Sequence, residues 1–518
     1  MPFRNRPKKM REIWKKTLIS QTKSQYTIAQ LQTIGDNHLN YTQKKGAMDF
    51  TSFSFFIFLP VVVGLYWIVK RRNAQNILLL LASYFFYGCV HPWFCFLISA
   101  STVFDYACAL AMEKWPGQKK SVLVFSLLGN LGFLATFKYF NFFIESFQSL
   151  GSALGLPLDW HGLEIMLPIG ISFYTFQTLS YTIDVYRGQL KARKNLIDFA
   201  LFVTFFPQLV AGPIERVSSL LGQIENDRKW NLRIFLGAFP LFLLGYLKKL
   251  LIADNMELWV DKIFTPEHPS IWMVFVGSVV FAMQIFADFS AYIDIARGSA
   301  KLLGFELNEN YENPILAISP ADFWRKWYSA SLNWIGSYAG LTLSRSLSGT
   351  NANLSQTRSP GTCKRILGAI ARHSGLSHAA AWNFILWGIY HAVMLFIYHT
   401  LGWGGKWLPI GPIPIAIAWA SFQLLNIFGW TLFRCPNMLW LKDIILYSPL
   451  GLSGAEFLVS CFLLLYFFVY SLPWLIHLLR EKWRRSEHPL VARWQWATVG
   501  IMALLYNRIP LPLLYFQF

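Results

Sequence analysis

From Phe53 onward the chain is a series of apolar runs separated by short polar or basic stretches. Several runs approach the ~20 residues that a helix needs to cross a bilayer. No other feature narrows the possible folds as far. Inside hydrocarbon every backbone N–H and C=O must be satisfied internally, so repeated runs of this length point to helices packed as a bundle. Charged residues make up 14% of the 518 residues and hydrophobic ones 54%, where a soluble chain carries about 25% charged residues. The sequence therefore predicts an all-α polytopic membrane protein. One membrane domain over 48–518 is expected, because no long polar segment of globular composition follows residue 48.

The net charge of +19 is unevenly spread. Residues 1–47 hold ten Lys or Arg and two acidic residues, a net of +8, which leaves +11 for the rest. That stretch has no apolar core of a secretory signal, and its Lys- and Gln-rich composition predicts a disordered or weakly helical extension. Elsewhere the basic residues sit in short clusters beside apolar spans, a distribution that argues against nucleic-acid binding and for basic cytoplasmic loops. The six cysteines form no Cys-x-x-Cys pair and mostly lie in apolar runs. They read as small buried residues rather than a metal site or a disulfide framework.

Spans are expected near 53–69, 76–90, 94–112, 121–137 and 167–185, then near 234–252, 271–290, 379–400, 411–433 and 455–478, with a last apolar piece at 494–506. Residues 198–212 are short for a span and end in Ala211-Gly212-Pro213, which fits a re-entrant segment, and 440–452 are amphipathic enough to lie in the interface. The total is about ten or eleven spans plus re-entrant and interfacial helices. Lys70-Arg71-Arg72, the loop with Lys114, Lys119 and Lys120, and the loop from Arg187 to Lys194 are each two spans apart and so share one side, the cytoplasmic one. Met48 is then outside, and a +8 leader would have to cross the membrane against the charge bias. Met48 is accordingly expected to be the natural start.

Polar residues interrupt the apolar runs at chosen places. Asp105, Asp184, Asp288 and Asp294 lie in or at the ends of spans. On a helix Asp288 and Tyr292 share a face, and Asp294 and Arg297 are spaced to pair. Gln177 interrupts the fifth span together with Thr178, Ser180 and Tyr181. Phe323-Trp-Arg-Lys-Trp327 is a basic aromatic cluster suited to an interface or an anionic ligand. Such groups either satisfy one another in the bundle or line a substrate path. Asp288, Tyr292, Gln177, Trp324, Arg325, Trp327, Tyr328 and Asn383 are the candidates for that path. Two histidines, His378 and His391, flank or enter one apolar run. His378 stands where a loop becomes a span, with Gly375 before it and three alanines after it, which leaves room for a substrate. Its imidazole suits the removal of a hydroxyl proton near neutral pH. His391 is thirteen residues on, about 220° around a regular helix, and is expected to be structural. No Gly-x-Ser-x-Gly, phosphate-binding Gly-x-x-x-x-Gly-Lys or His-Glu-x-x-His competes with this assignment.

The stretches Asp49-Phe-Thr-Ser-Phe53, Phe137-Lys-Tyr-Phe-Asn-Phe-Phe143, Leu167-Pro-Ile-Gly-Ile-Ser-Phe-Tyr-Thr-Phe-Gln177 and Tyr181-Thr-Ile-Asp-Val-Tyr-Arg187 open an ordered set of motifs. Phe205-Phe-Pro-Gln-Leu-Val-Ala-Gly-Pro-Ile214, Gly245-Tyr-Leu-Lys-Lys249, Asp288-Phe-Ser290, Phe323-Trp-Arg-Lys-Trp327, Trp382-Asn-Phe-Ile-Leu-Trp-Gly388 and Tyr515-Phe-Gln-Phe518 complete it. In this order they resemble the alginate O-acetylase branch of the membrane-bound O-acyltransferases over about 48–518. The resemblance implies a funnel-shaped helical domain in which a cytoplasmic acyl donor meets an acceptor across the membrane. It implies acetyl-CoA as donor substrate with no bound cofactor, and a bacterial inner membrane location. The acetyl group would pass to an SGNH-hydrolase-like extracytoplasmic partner or a polysaccharide-export complex, and on to an exopolysaccharide. The family's invariant histidine lies in Gly-Leu-Trp-His-Gly, matched here by Gly375-Leu-Ser-His-Ala379, so the catalytic role falls on His378. The chain departs from the family pattern between 328 and 379. Tyr328 stands where the family has His, and Gly336-Ser-Tyr338 and Leu341-Thr-Leu-Ser-Arg345 replace two further motifs. Two other readings are an acyl-donor-binding or assembly paralogue and a transporter, though inverted repeats are not visible.

Overall fold

The computed structural model describes residues 48–156, 160, 162, 168–209, 212, 215–266, 269–327, 381–403, 409–448 and 453–483. The extension 1–47, Tyr328, His378 and the last apolar piece at 494–506 lie outside the described residues.

The first half contains α1 (Phe53–Ile68), α2 (Arg72–Gly88), α3 (Pro92–Lys114), α4 (Lys119–Leu134), α5 (Phe140–Ala153), α6 (Ile171–Tyr186), α7 (Leu196–Thr204), α8 (Phe206–Leu209) and α9 (Val217–Glu225). The second contains α10 (Leu232–Leu236), α11 (Phe239–Tyr246), α12 (Asp254–Phe264), α13 (Ile271–Leu302), α14 (Pro320–Lys326), α15 (Trp382–Thr400), α16 (Pro412–Arg434), α17 (Met438–Tyr447) and α18 (Gly454–Trp483). The fold is an all-α polytopic membrane bundle. Among the described residues six helical stretches are long and apolar enough to cross a membrane: Pro92–Lys114, Pro116–Ala153, Leu232–Phe264, Ile271–Leu302, Pro412–Arg434 and Gly454–Leu472. Shorter apolar helices such as α1 stand among them.

The starts follow from local chemistry. The Ser52 hydroxyl accepts from the Phe55 amide to cap α1, and the Ser270 hydroxyl accepts from Met273 to cap α13. Pro92 and Pro412 occupy first-turn positions, where a missing N–H costs nothing. α6 begins at Ile171, four residues later than the apolar run, because Gly170 takes a left-handed conformation (φ 75°) just before it. Residues 198–209 of the next run lie in α7, a break at Phe205 and the single turn α8. Nine residues of α7 rise about 13.5 Å, too little to cross hydrocarbon of about 30 Å. α17 buries Trp440, Leu441 and Ile444 and leaves Leu439, Ile445 and Leu446 exposed, and its ten residues are too few to cross the hydrocarbon.

Three helices run further than the hydropathy alone indicates. The fourth apolar run continues from α4 through a π turn (Ala135–Tyr139) into α5, with no proline to stop it. The stretch expected to end near 252 passes through a second π turn (Leu247–Ala253) into α12. α13 extends twelve residues beyond 290, because the polar residues that weaken its hydropathy there are paired inside the bundle.

α13 is the axis of the molecule. Most of it from Val274 to Leu302 is buried, as expected of a helix enclosed on all sides. Its C-terminal half, with Tyr292, Ile295, Ala296 and Ala300, packs into one apolar core built with α1 to α4 and α6 to α9. Its N-terminal half, with Val280, Phe281, Ile285 and Phe289, packs into a second built with α12 and α14 to α18. α11 approaches α13 closely at Gly245. A Cβ there would lie 2.6 Å from Ile295 Cγ1 and 2.9 Å from the Ala291 carbonyl oxygen. Gly245→Ala is therefore expected to lower stability by about 1–3 kcal/mol, the usual cost of overpacking. It should reduce the folded protein recovered from membranes and its melting temperature in detergent.

Candidate active site

Two adjacent lysines dominate the polar interior. In the π turn, Lys248 and Lys249 both turn toward α13. Lys249 Nζ lies 2.8 Å from Asp288 Oδ1 and 2.9 Å from Asp254 Oδ1, with all three side chains almost fully enclosed. Lys248 Nζ lies 2.7 Å from Asp294 Oδ2 and 6.0 Å above the Phe286 ring. Arg297, one turn from Asp294, sits at 3.8 Å from its other oxygen and reaches Glu309 at the surface. The expected Asp294–Arg297 pair thus exists, but the closer partner of Asp294 is Lys248. The ion pairs run from fully buried Asp288 on α13, past Asp294 and Arg297, to exposed Glu309 beyond the end of that helix. π turns recur at functional sites because the inserted residue re-aims side chains.

Asp288 and Tyr292 share a face of α13 as expected, with Gln284 a turn before them, and all three are buried. Tyr292 stacks on Phe50 at 4.4 Å. Its hydroxyl and the Gln284 side-chain Oε1 have no hydrogen-bond partner among the described residues.

α14 lies against α15 and α16 and carries the second half of the site. Trp327 stacks on Phe323 and packs against Trp430 at 5.2 Å, and Trp324 meets Trp387 at 5.6 Å. His391 lies among Phe323, Trp324, Trp387 and Tyr390, with ring centroids 4.8–5.8 Å away. It is completely buried, and neither ring nitrogen has a partner among the described residues. On its far side α16 comes close at Gly429, where a Cβ would lie 3.1 Å from His391 Nε2. The two halves of the site are joined by ring contacts from Phe286 to Tyr311 (6.2 Å) and from Tyr311 to Trp327 (5.3 Å).

The remaining candidates are held elsewhere. Gln177 donates to the Phe202 carbonyl and accepts from Gln208, which ties α6 to α7 and α8. Asn383 donates to the Phe433 and Cys435 carbonyls, so it caps α16 and anchors the start of α15. Arg325 is mostly exposed and pairs with Asp322 on its own helix. Asp288 and Tyr292 thus share one buried face of α13, and Trp324 and Trp327 share the aromatic cluster of α14 to α16, while Gln177, Asn383 and Arg325 are engaged elsewhere. Lys248 and Lys249 have no part in the sequence-based candidate path. The signal was two ammonium groups inside an apolar run, which are tolerated there only when paired.

A further polar cluster lies between α3, α4 and α6. The Asp105 carboxylate accepts from Ser126 Oγ at 2.9 Å and Asn130 Nδ2 at 2.7 Å, in full burial. It fastens three helices together away from the aromatic cage.

No family model matches the chain. The probable alginate O-acetylase AlgI of Pseudomonas putida is 35% identical over 74% of this chain and 76% of its own length. The protein of the same name from Azotobacter vinelandii is 36% identical over 74% of each chain. A peptidoglycan O-acetyltransferase of Helicobacter pylori is 30% identical over 77% of this chain and 79% of its own. A multi-pass bundle with a polar, protein-enclosed interior and relatives of this kind define a membrane O-acyltransferase. The chain belongs to the alginate O-acetylase family of membrane-bound O-acyltransferases.

Proposed function

We propose that the protein transfers an acetyl group from acetyl-CoA on the cytoplasmic side of a bacterial inner membrane toward an extracytoplasmic polysaccharide, through an SGNH-hydrolase-like partner or a polysaccharide-export complex. The observation that carries this reading is the family membership itself, in which relatives over three quarters of the chain are named O-acetylases or an O-acetyltransferase. The enclosed interior around α13 supports it, since paired charges and aromatic walls at membrane depth can host a polar acyl donor away from lipid. His378 is the proposed general base. It removes the proton from the acceptor hydroxyl as the oxygen attacks the acyl carbon.

Deletion of the gene from its host, followed by alkali-labile acetate analysis of the cell-surface polymers, tests the reading. Loss of ester acetate from one polymer, restored by the wild-type gene, is expected. An unchanged acetate content in every polymer fraction contradicts it.

A further inference from the structure

A buried donor without an acceptor is costly, about 1–3 kcal/mol for a neutral group, and native proteins retain few of them without a reason. The aromatic cage holds two in touching rings. The Trp324 indole Nε1 and both nitrogens of His391 have no partner among the described residues, although Trp324 is 6% exposed and His391 0%. Their ring centroids are 5.3 Å apart, with the ring planes nearly perpendicular. Packing does not require either polar atom. Phe323, Trp387 and Tyr390 fill the rest of the cage with ring contacts, and a Leu or Phe would fill these positions at no polar cost. A neutral imidazole offers one N–H and an indole another, so the cage presents two N–H donors in a dry setting.

Negative charge in acyl transfer develops on the carbonyl oxygen. The acceptor hydroxyl oxygen bonds to the acyl carbon, the carbon–sulfur bond of the thioester breaks, and the hydroxyl proton ends on the departing sulfur. Between those events the former carbonyl oxygen carries the charge. We propose that Trp324 Nε1–H and the His391 imidazole N–H form a two-donor site for the carbonyl oxygen of the acyl group under transfer. The site rests on the acetyl-transfer reading above and adds to it the group that stabilises the oxyanion. Fixed donors in a water-excluded site are the arrangement that stabilises such a charge most.

Trp324→Phe removes only the N–H and keeps the ring. His391→Leu removes the imidazole at similar volume, and His391→Gln restores a donor. Each is purified in lipid nanodiscs and assayed for release of CoA from acetyl-CoA in the presence of acceptor, with melting temperature measured in parallel. Trp324→Phe and His391→Leu are expected to lower kcat about 10²–10³-fold, with little change in KM, and His391→Gln to recover part of it. Both apolar variants are expected to melt at the wild-type temperature or above, since an unengaged buried polar group has been removed. Turnover within about twofold of wild type in both variants, or a lowered melting temperature in both, overturns the proposal, because the donors would then be idle or already engaged by the chain. If the wild type itself releases no CoA, the acetyl-CoA reading fails. The donor pair is then decided by the melting comparison, where a loss of stability rejects it.

Discussion

His378→Ala is expected to abolish acetyl transfer while leaving the protein in the membrane at wild-type level. A general base at the acceptor hydroxyl contributes about 10²–10⁴ to the rate, so residual activity should fall below one per cent. The substitution adds no charge and keeps a helix-compatible small side chain. The expected separation is therefore clean, with normal extraction and melting behaviour and no ester formed. His378→Gln, which can hydrogen-bond but cannot take up a proton, should be as inactive as His378→Ala. Unchanged acetylation in either variant would remove His378 from the reaction. Tyr328 stands where the family resemblance implies a second histidine, and a phenol is a poor base near neutral pH. The demand on His378 is correspondingly greater.

Lys249→Met should be the most destabilising single change in the interior. It leaves Asp254 and Asp288 facing one another across the space that the ammonium held. Breaking a buried ion pair by removing one partner costs about 3–5 kcal/mol, mostly through the charge left behind. That is a large share of the total stability of a folded chain. Asp288→Asn should cost distinctly less, because Lys249 retains Asp254 at 2.9 Å. The double variant Lys249→Met/Asp288→Asn should recover part of the loss. Melting temperatures in detergent give the order directly. Equal melting of Lys249→Met and wild type would show that the network is not the fastening of α12 and the π turn to α13.

The class of fold was legible because apolar length is a blunt constraint, and every expected span within the described residues became a helix or part of one. The ends were less legible. Asp294 and Arg297 depress the hydropathy of α13 past residue 290, and only their pairing with Lys248 and Glu309 explains why the helix continues. The lysine pair was hidden for a related reason. A regular helical projection does not foresee the π turn that aims both side chains at α13. For Asp288 and Tyr292, the four-residue spacing alone placed them on one interior face. Gln177 and Asn383 stand out in the sequence as polar residues in apolar surroundings, yet their amides serve backbone carbonyls on neighbouring helices. Composition does not distinguish a polar group that lines a path from one that fastens two helices. His391 illustrates the opposite difficulty. Its apolar neighbourhood reads as a packing position, while the cage leaves both of its nitrogens without a partner among the described residues.

The most direct measurement is made on purified wild-type protein in sealed vesicles, given acetyl-CoA labelled in the acetyl group on one side and acceptor on the other. The account predicts label in a hydroxylamine-labile ester on the acceptor side, with one CoA thiol released per ester formed on the donor side. Thiol release no faster than from protein-free vesicles, with no ester across the membrane, would contradict it.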